Sequence, residues 1–372
     1  MKKYIRITGI AFGVLFILSW ITPFCNLYSN TIYALISNGL GVVMGVLPVN
    51  VGECLMYLMA LGALTALVLS LLLIFLRKKE KFRRFTLRYL MTAACVVMTF
   101  LLIYMLNWWI PFRSSLMGGA LEPVYDYSLD EIEALRNIMT EKTNKLSEEV
   151  QRDEEGKLIY TDKEKVREEV SDSMKKLSDE YARLGGYYPP AKEAYCSSVL
   201  RWMYIGGYTY PYSMEITCNR YVNRLYYPAL FAHESSHHQG YYRENEANFF
   251  EYLGCNGCED PMIRYSACIE MYYYLNDAYL ILLEEADPEH TEERYKSQIQ
   301  LSGQVKKDEK DARATAEALY NESSHPLESL KKTASKIADK GWSTQSEIIG
   351  DEGYQGVVPL LVAYYRQKPE AF

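Results

Sequence analysis

His233-Glu234-Ser235-Ser236-His237, with His238-Gln239-Gly240 behind it and Glu244-Asn245-Glu246-Ala247-Asn248 shortly after, decides how this chain is read. On an α-helix, positions i and i+4 lie on one face. His233 and His237 can therefore aim two imidazoles at one metal ion. Glu234 lies beside them and can take a proton from water at that metal. A downstream carboxylate would complete three protein ligands and leave one position open, the arrangement of a catalytic Zn2+. The competing readings are a structural zinc, which calls for four protein ligands rich in Cys, and a helix whose histidines are merely solvated. That three of the chain's 5 His fall between 233 and 238 favours the catalytic type of site.

The flanking residues set the local frame. Tyr227 to Ala232 reads as the lead-in to a helix, and Gly240 as the point where it stops and the chain reverses. Glu244 to Leu253 reads as a second helix, with Ala247, Phe250 and Leu253 on its apolar face. Glu244 and Asn248 are four apart. In two-helix zinc peptidases a residue so placed bonds the outer nitrogen of the first His and fixes its tautomer. Glu244 is thus the expected third ligand and Asn248 its support, with Glu246 as the alternative ligand. His238 sits about 100° around the helix from His237 and should miss the metal.

Composition excludes some classes. The net charge of -7, with no basic arm and no RNA motif, argues against a nucleic-acid partner. Five of the cysteines (196, 218, 255, 258, 268) lie beyond the hydrophobic N-terminal third. An odd number cannot pair completely, and Cys255-Asn256-Gly257-Cys258 has no second such pair, so buried free thiols are expected.

The N-terminal third reads as bilayer. Ile7 to Phe24, preceded by Lys2, Lys3 and Arg6, is a first apolar run; Leu55 to Leu76 is a second; a third, about 88 to 108, ends at Trp108-Trp109. Asn26 to Val51 is mildly apolar and broken by Asn38, Gly39, Gly41, Gly45 and Pro48, which fits a segment on the membrane or re-entering it. Arg77-Lys78-Lys79-Glu80-Lys81-Phe82-Arg83-Arg84 is basic, as is the N-terminal tip. Both should be cytoplasmic, which puts residues after about 110 on the other side. The zinc motif is too polar in its surroundings to lie inside the membrane.

Beyond the spans, Ser128-Leu129-Asp130-Glu131 is a capping box opening a helix to about Gln151. Asp162 to Leu184 reads as a second charged helix. Gly206 to Asn219, rich in Tyr and Thr with Pro211 inside it, suits an edge strand or hairpin. Such an edge could hold an extended peptide, which makes Tyr212, Glu215 and Asn219 candidate substrate contacts. Met262 to Leu283 is a helical run expected beneath the site. Residues 286 to 340 are charged and read as a lid or protruding arm. In the Gly-flanked turn 350–356, Tyr354 is a candidate for stabilising an oxyanion.

Pro211-Tyr212-Ser213-Met214-Glu215, the run Phe231 to Gly240, the run Arg243 to Phe249 and the loose Gly353, Tyr354, Val357 pattern resemble the bacterial membrane family catalogued as domain of unknown function 3810. The resemblance covers most of the chain. It implies a zinc-peptidase-like fold; the family's substrate is not established. Ser235-Ser236, where small apolar residues are commoner, and the charged stretch 286–340 depart from the family pattern.

The expectation is a mainly α fold with a small β-sheet, a zincin-like α+β domain over 110–372, behind a 1–109 anchor of three transmembrane helices (about 7–24, 55–76 and 88–108). The expected activity is hydrolysis of peptide or protein substrates by zinc-activated water at the bilayer surface. The alternatives are a catalytically silent sensor or scaffold, and a zinc amidase acting on cell-wall peptides.

Overall fold

The computed structural model describes residues 1–325, 328–336, 338 and 356–369. It is mainly helical with a small sheet, and it divides into two compact units.

The first unit holds Met1–Ser115 together with the loop Tyr210–Glu215. Helix α1 (Lys2–Leu18) stops before Pro23, which has no N–H to offer and sits in the first turn of α2 (Thr22–Tyr28). A π-turn, Ser29–Tyr33, leads on into α3 (Ala34–Gly45). The axis bends by 113° between α1 and this second stretch. The apolar run 7–24 is therefore not one straight helix, which is a departure from its sequence reading. Helix α4 (Val51–Leu76) is straightforward, and α5 (Glu80–Tyr104) runs through a π-turn at Met105–Trp109 into the short α6 (Ile110–Phe112). Two helices are long and apolar enough to cross a membrane, Val51–Leu76 and Glu80–Phe112, or three if the bent pair is one span. Leu58, Leu61, Leu64, Leu67 and Phe75 of α4 are exposed, an apolar sheath of the kind that lipid covers.

The start of α4 is tied down twice. Asn50 caps it by accepting the Glu53 N–H at 3.1 Å. The Glu215 carboxylate accepts the N–H groups of Val51 (3.0 Å) and Gly52 (2.6 Å), two donors that a helix start leaves without intrahelical partners. Position 52 has to be glycine here, because a Cβ would lie 2.3 Å from the Tyr210 ring. Asn107 Nδ2 donates to the Pro211 carbonyl (2.7 Å), and Tyr212 packs edge-on to Phe100 (4.8 Å).

The second unit spans Leu116–Thr209 and Ile216–Phe372. The capping box at Ser128 and Glu131 opens α7 (Leu129–Glu149), and Asp162 caps α8 (Lys163–Lys176). Three short strands, β1 (Lys192–Glu193), β2 (Gly207–Thr209) and β3 (Ile216–Cys218), make a sheet of order β1-β3-β2, with α9 (Ser197–Trp202) between the first two in sequence. β1 runs parallel to β3 and β2 antiparallel to it, so β2 is an edge. Then follow α10 (Tyr227–His238), α11 (Glu244–Asn256), α12 (Pro261–Ala286), α13 (Thr291–Ser297), α14 (Gly303–Asn321) and α15 (Val357–Gln367). Phe231, Phe249, Phe250, Tyr252, Ile263, Leu275 and Leu360 are buried in the core these helices share.

Helix α14 is no protruding arm. Its Val305 and Ala312 belong to that core. Its buried Asp308 takes a two-pronged ion pair from Arg152 (2.6 and 2.8 Å) and a hydrogen bond from the Tyr265 hydroxyl (3.0 Å). All eight cysteines are free; Cys255, Cys258 and Cys268 are buried, and the Cys255 and Cys258 thiols donate to the Pro228 and Gly254 carbonyls.

Candidate metal centre

The last two turns of α10 carry His233, Glu234 and His237, and Gly240 adopts the left-handed φ of 89° that reverses the chain into α11. That reversal brings the first residue of α11, Glu244, back against the two imidazoles. Glu244 Oε2 lies 3.1 Å from His233 Nε2 and 3.8 Å from His237 Nε2. A tetrahedral ion with bonds of about 2.0–2.1 Å spaces its ligands about 3.3 Å apart, so the three atoms surround a point fit for one. The imidazole planes are perpendicular, with centroids 4.7 Å apart. Among the described residues, these three form a group whose ligand atoms all lie within 4.8 Å of one another. The buried Glu244 Oε2 accepts no hydrogen bond. Such an atom, aimed between two imidazole nitrogens, is what a cation would satisfy. The donor set therefore fits a metal ion.

Both rings are oriented from behind. His237 Nδ1 faces the Tyr241 carbonyl at 2.9 Å, so the proton sits on Nδ1 and Nε2 is left as a lone-pair donor. His233 Nδ1 faces Glu251 Oε2 at 3.5 Å. Glu270 of α12 hydrogen-bonds Glu251 in turn, and burial together with the Glu251 charge pushes the Glu270 carboxyl well above the usual range. Sequence reasoning missed Glu251. The signal was present: Glu251 is seven residues, two turns, beyond Glu244 on the same helix. Asn248, expected in the supporting role, is buried on the turn between them.

Glu246, the alternative ligand, is used elsewhere. Its Oε1 accepts the Met117 N–H (2.5 Å) and its Oε2 faces the Arg243 guanidinium (3.8 Å). Met117 and the two glycines after it all have positive φ (52°, 66° and 88°), so Glu246 secures a turn at the start of the second unit. His238 is buried outside the metal group, as its helical angle implied.

Burial pushes Glu234 up to about 8, against the lowering charge of His233. Burial also drives His237 down to about 4. Burial works the same way on His233, but the facing Glu244 and Glu251 carboxylates outweigh it and hold the ring well above its usual value. The two carboxylates that favour a proton there favour a metal ion equally.

The edge strand reaches Glu234 directly. Thr209 Oγ1 donates to the Glu234 carbonyl (2.9 Å) and faces Glu234 Oε2 (3.2 Å). A Cβ at Gly207 would lie 2.9 Å from Glu234 Oε1 and equally close to the Thr217 carbonyl, so glycine lets the strand approach Glu234. The three candidate substrate contacts are otherwise engaged. Glu215 caps α4 and Tyr212 packs on Phe100, as described above. Asn219 braces the turn after β3, donating to the Ile205 carbonyl (3.0 Å) and accepting the Tyr221 N–H (3.0 Å). Tyr354 lies outside the described residues.

Glu251→Ala should weaken zinc binding by about 10- to 100-fold, the usual effect of removing a group that orients a ligand imidazole. Competition with a chromogenic chelator measures it. An unchanged affinity would remove Glu251 from the account.

No curated protein and no solved structure matches this chain. A family model does, over residues 28–362. That match covers most of the sequence, and the chain belongs to the family described as Protein of unknown function (DUF3810).

Proposed function

We propose that this protein is a membrane-anchored zinc metallopeptidase with a zincin-like domain, and that His233, His237 and Glu244 hold the metal. The observation that carries the reading is the convergence of three ligand atoms beside a buried carboxylate, Glu234, which an edge strand touches. Zinc there would supply a Lewis acid that polarises a carbonyl and makes water acidic near neutral pH. The chain's own residues do the rest. The edge of β2 opposite β3 offers backbone groups to an extended peptide. Glu234, held by Thr209, takes a proton from the attacking water as its oxygen bonds the carbonyl carbon. The same carboxyl then gives that proton to the departing amine nitrogen as the C–N bond breaks.

The basic stretch 77–84, which covers the turn after α4 and the start of α5, supports a cytoplasmic position for that turn and an extracytoplasmic one for the second unit. With three spans the C-terminus is also outside. A reporter fused after residue 372 should be active only in its extracytoplasmic form; activity confined to the cytoplasm would reverse the topology.

The full chain, purified in detergent and loaded with zinc, should cleave members of a broad peptide library. Glu234→Gln should retain the metal and lose roughly 100-fold or more in rate, the scale of a positioned base. Equal cleavage by the variant would contradict the mechanism. Zinc bound by the parent without any cleavage would favour a binding scaffold instead.

A further inference from the structure

A cavity within the second unit is lined by none of His233, His237 and Glu244. Its volume is about 440 Å³, within the range of about 300–1,000 Å³ that holds small ligands. One wall is apolar: Ala312, Thr315, Ala316 and Leu319, spaced i, i+3, i+4, i+7 on α14. The rings of Tyr160 and Tyr227 also line it.

The charged lining is unbalanced. Lys163, Arg220 and Arg224 face a single carboxylate, Glu193. Glu193 already serves two of them, Lys163 Nζ at 3.0 Å and Arg220 Nε at 3.1 Å. Arg224 stands over the Tyr160 ring, 5.1 Å from its centroid, and no carboxylate of the described residues pairs with it. Asp308 and Asp311 line a neighbouring cavity, with Tyr160 and Thr315 shared between the two, and Asp308 is engaged by Arg152. A guanidinium backed by an aromatic face and lacking a carboxylate is a ready partner for a planar or tetrahedral anion.

The cavity is related to the metal centre through the sheet. Glu193, Cys218 and Gly207 stand in one row across β1, β3 and β2. Residues in a row share a face, and Gly207 meets Glu234 on its face. Glu193 therefore lies about 10 Å along that row from Gly207, two strand spacings away. Cys218, between them in that row, is buried and lines the cavity.

We propose that this cavity is a binding site for a small anion carried on an apolar body, either a carboxylate or a phosphate monoester. The anionic group pairs with Arg224 at the mouth, and the apolar body lies against α14. The site stands independently of the peptidase reading.

The full chain in non-ionic detergent is titrated with hydrocinnamate, with phenyl phosphate and with neutral benzyl alcohol, against a micelle-only blank. Saturable binding is expected for at least one anion, with benzyl alcohol at least about tenfold weaker. The tighter anion tells a peptide-like carboxylate from a phosphate monoester. Arg224→Gln, at an exposed position, should weaken the anion about tenfold, the scale of one charge-assisted hydrogen bond. Ala316→Trp should fill the cavity and abolish binding, with unchanged circular dichroism certifying the fold of both variants. No saturable binding of either anion by the parent, or binding that survives both substitutions, overturns the proposal.

Discussion

Helices α10 and α11 bury a group of ionisable side chains that would not stay buried together without compensation. His233, Glu234, His237, Glu246 and Glu251 are all nearly inaccessible, and Glu244 sits among them. An uncompensated buried charge costs several kcal/mol even after the protein relaxes around it. Part of the compensation is visible in the fold. Glu246 has the Met117 N–H and Arg243. Glu251 has the His233 ring on one side and Glu270 on the other. Two buried carboxylate oxygens remain without a hydrogen bond, Glu251 Oε1 and Glu244 Oε2, and the second faces two imidazole nitrogens. A divalent cation at that point would turn an unfavourable cluster into a coordinated one.

The sheet is short, yet Gly207 and Thr209 bring its edge strand onto Glu234. Between the two strands, the loop Tyr210–Glu215 belongs to the unit of the apolar helices, where Glu215 caps α4. Glu215, in a loop that reads as a substrate contact by composition, is engaged with the start of α4. Its carboxylate satisfies a helix start that would otherwise present bare N–H donors.

The legible parts were those governed by local rules. Helical spacing placed His233 and His237 on one face, and the capping box at Ser128 and Glu131 marked a helix start that the structure repeats. The Tyr- and Thr-rich composition of Gly206 to Asn219 suited an edge strand or hairpin, and β2 and β3 form there. The choice of Glu244 over Glu246 turns on which carboxylate the reversal at Gly240 delivers, and Glu244 is the one brought to the imidazoles. Glu270 left no trace in the sequence, because α12 meets His233 only through tertiary packing. The fate of Glu215 was hidden for the same reason, since its partners are more than 160 residues away. The break after Leu18 was within reach: Pro23 lies inside the run taken as one span, and proline seldom continues a helix.

The metal centre itself is the claim on which the rest stands. Diffraction data from zinc-loaded crystals, collected on both sides of the zinc absorption edge, test it most directly. The account predicts one anomalous peak per chain, about 2.0–2.2 Å from His233 Nε2, His237 Nε2 and a Glu244 carboxylate oxygen. A peak coordinated by Glu246 in place of Glu244, or no peak between the two imidazoles of fully loaded protein, would contradict it.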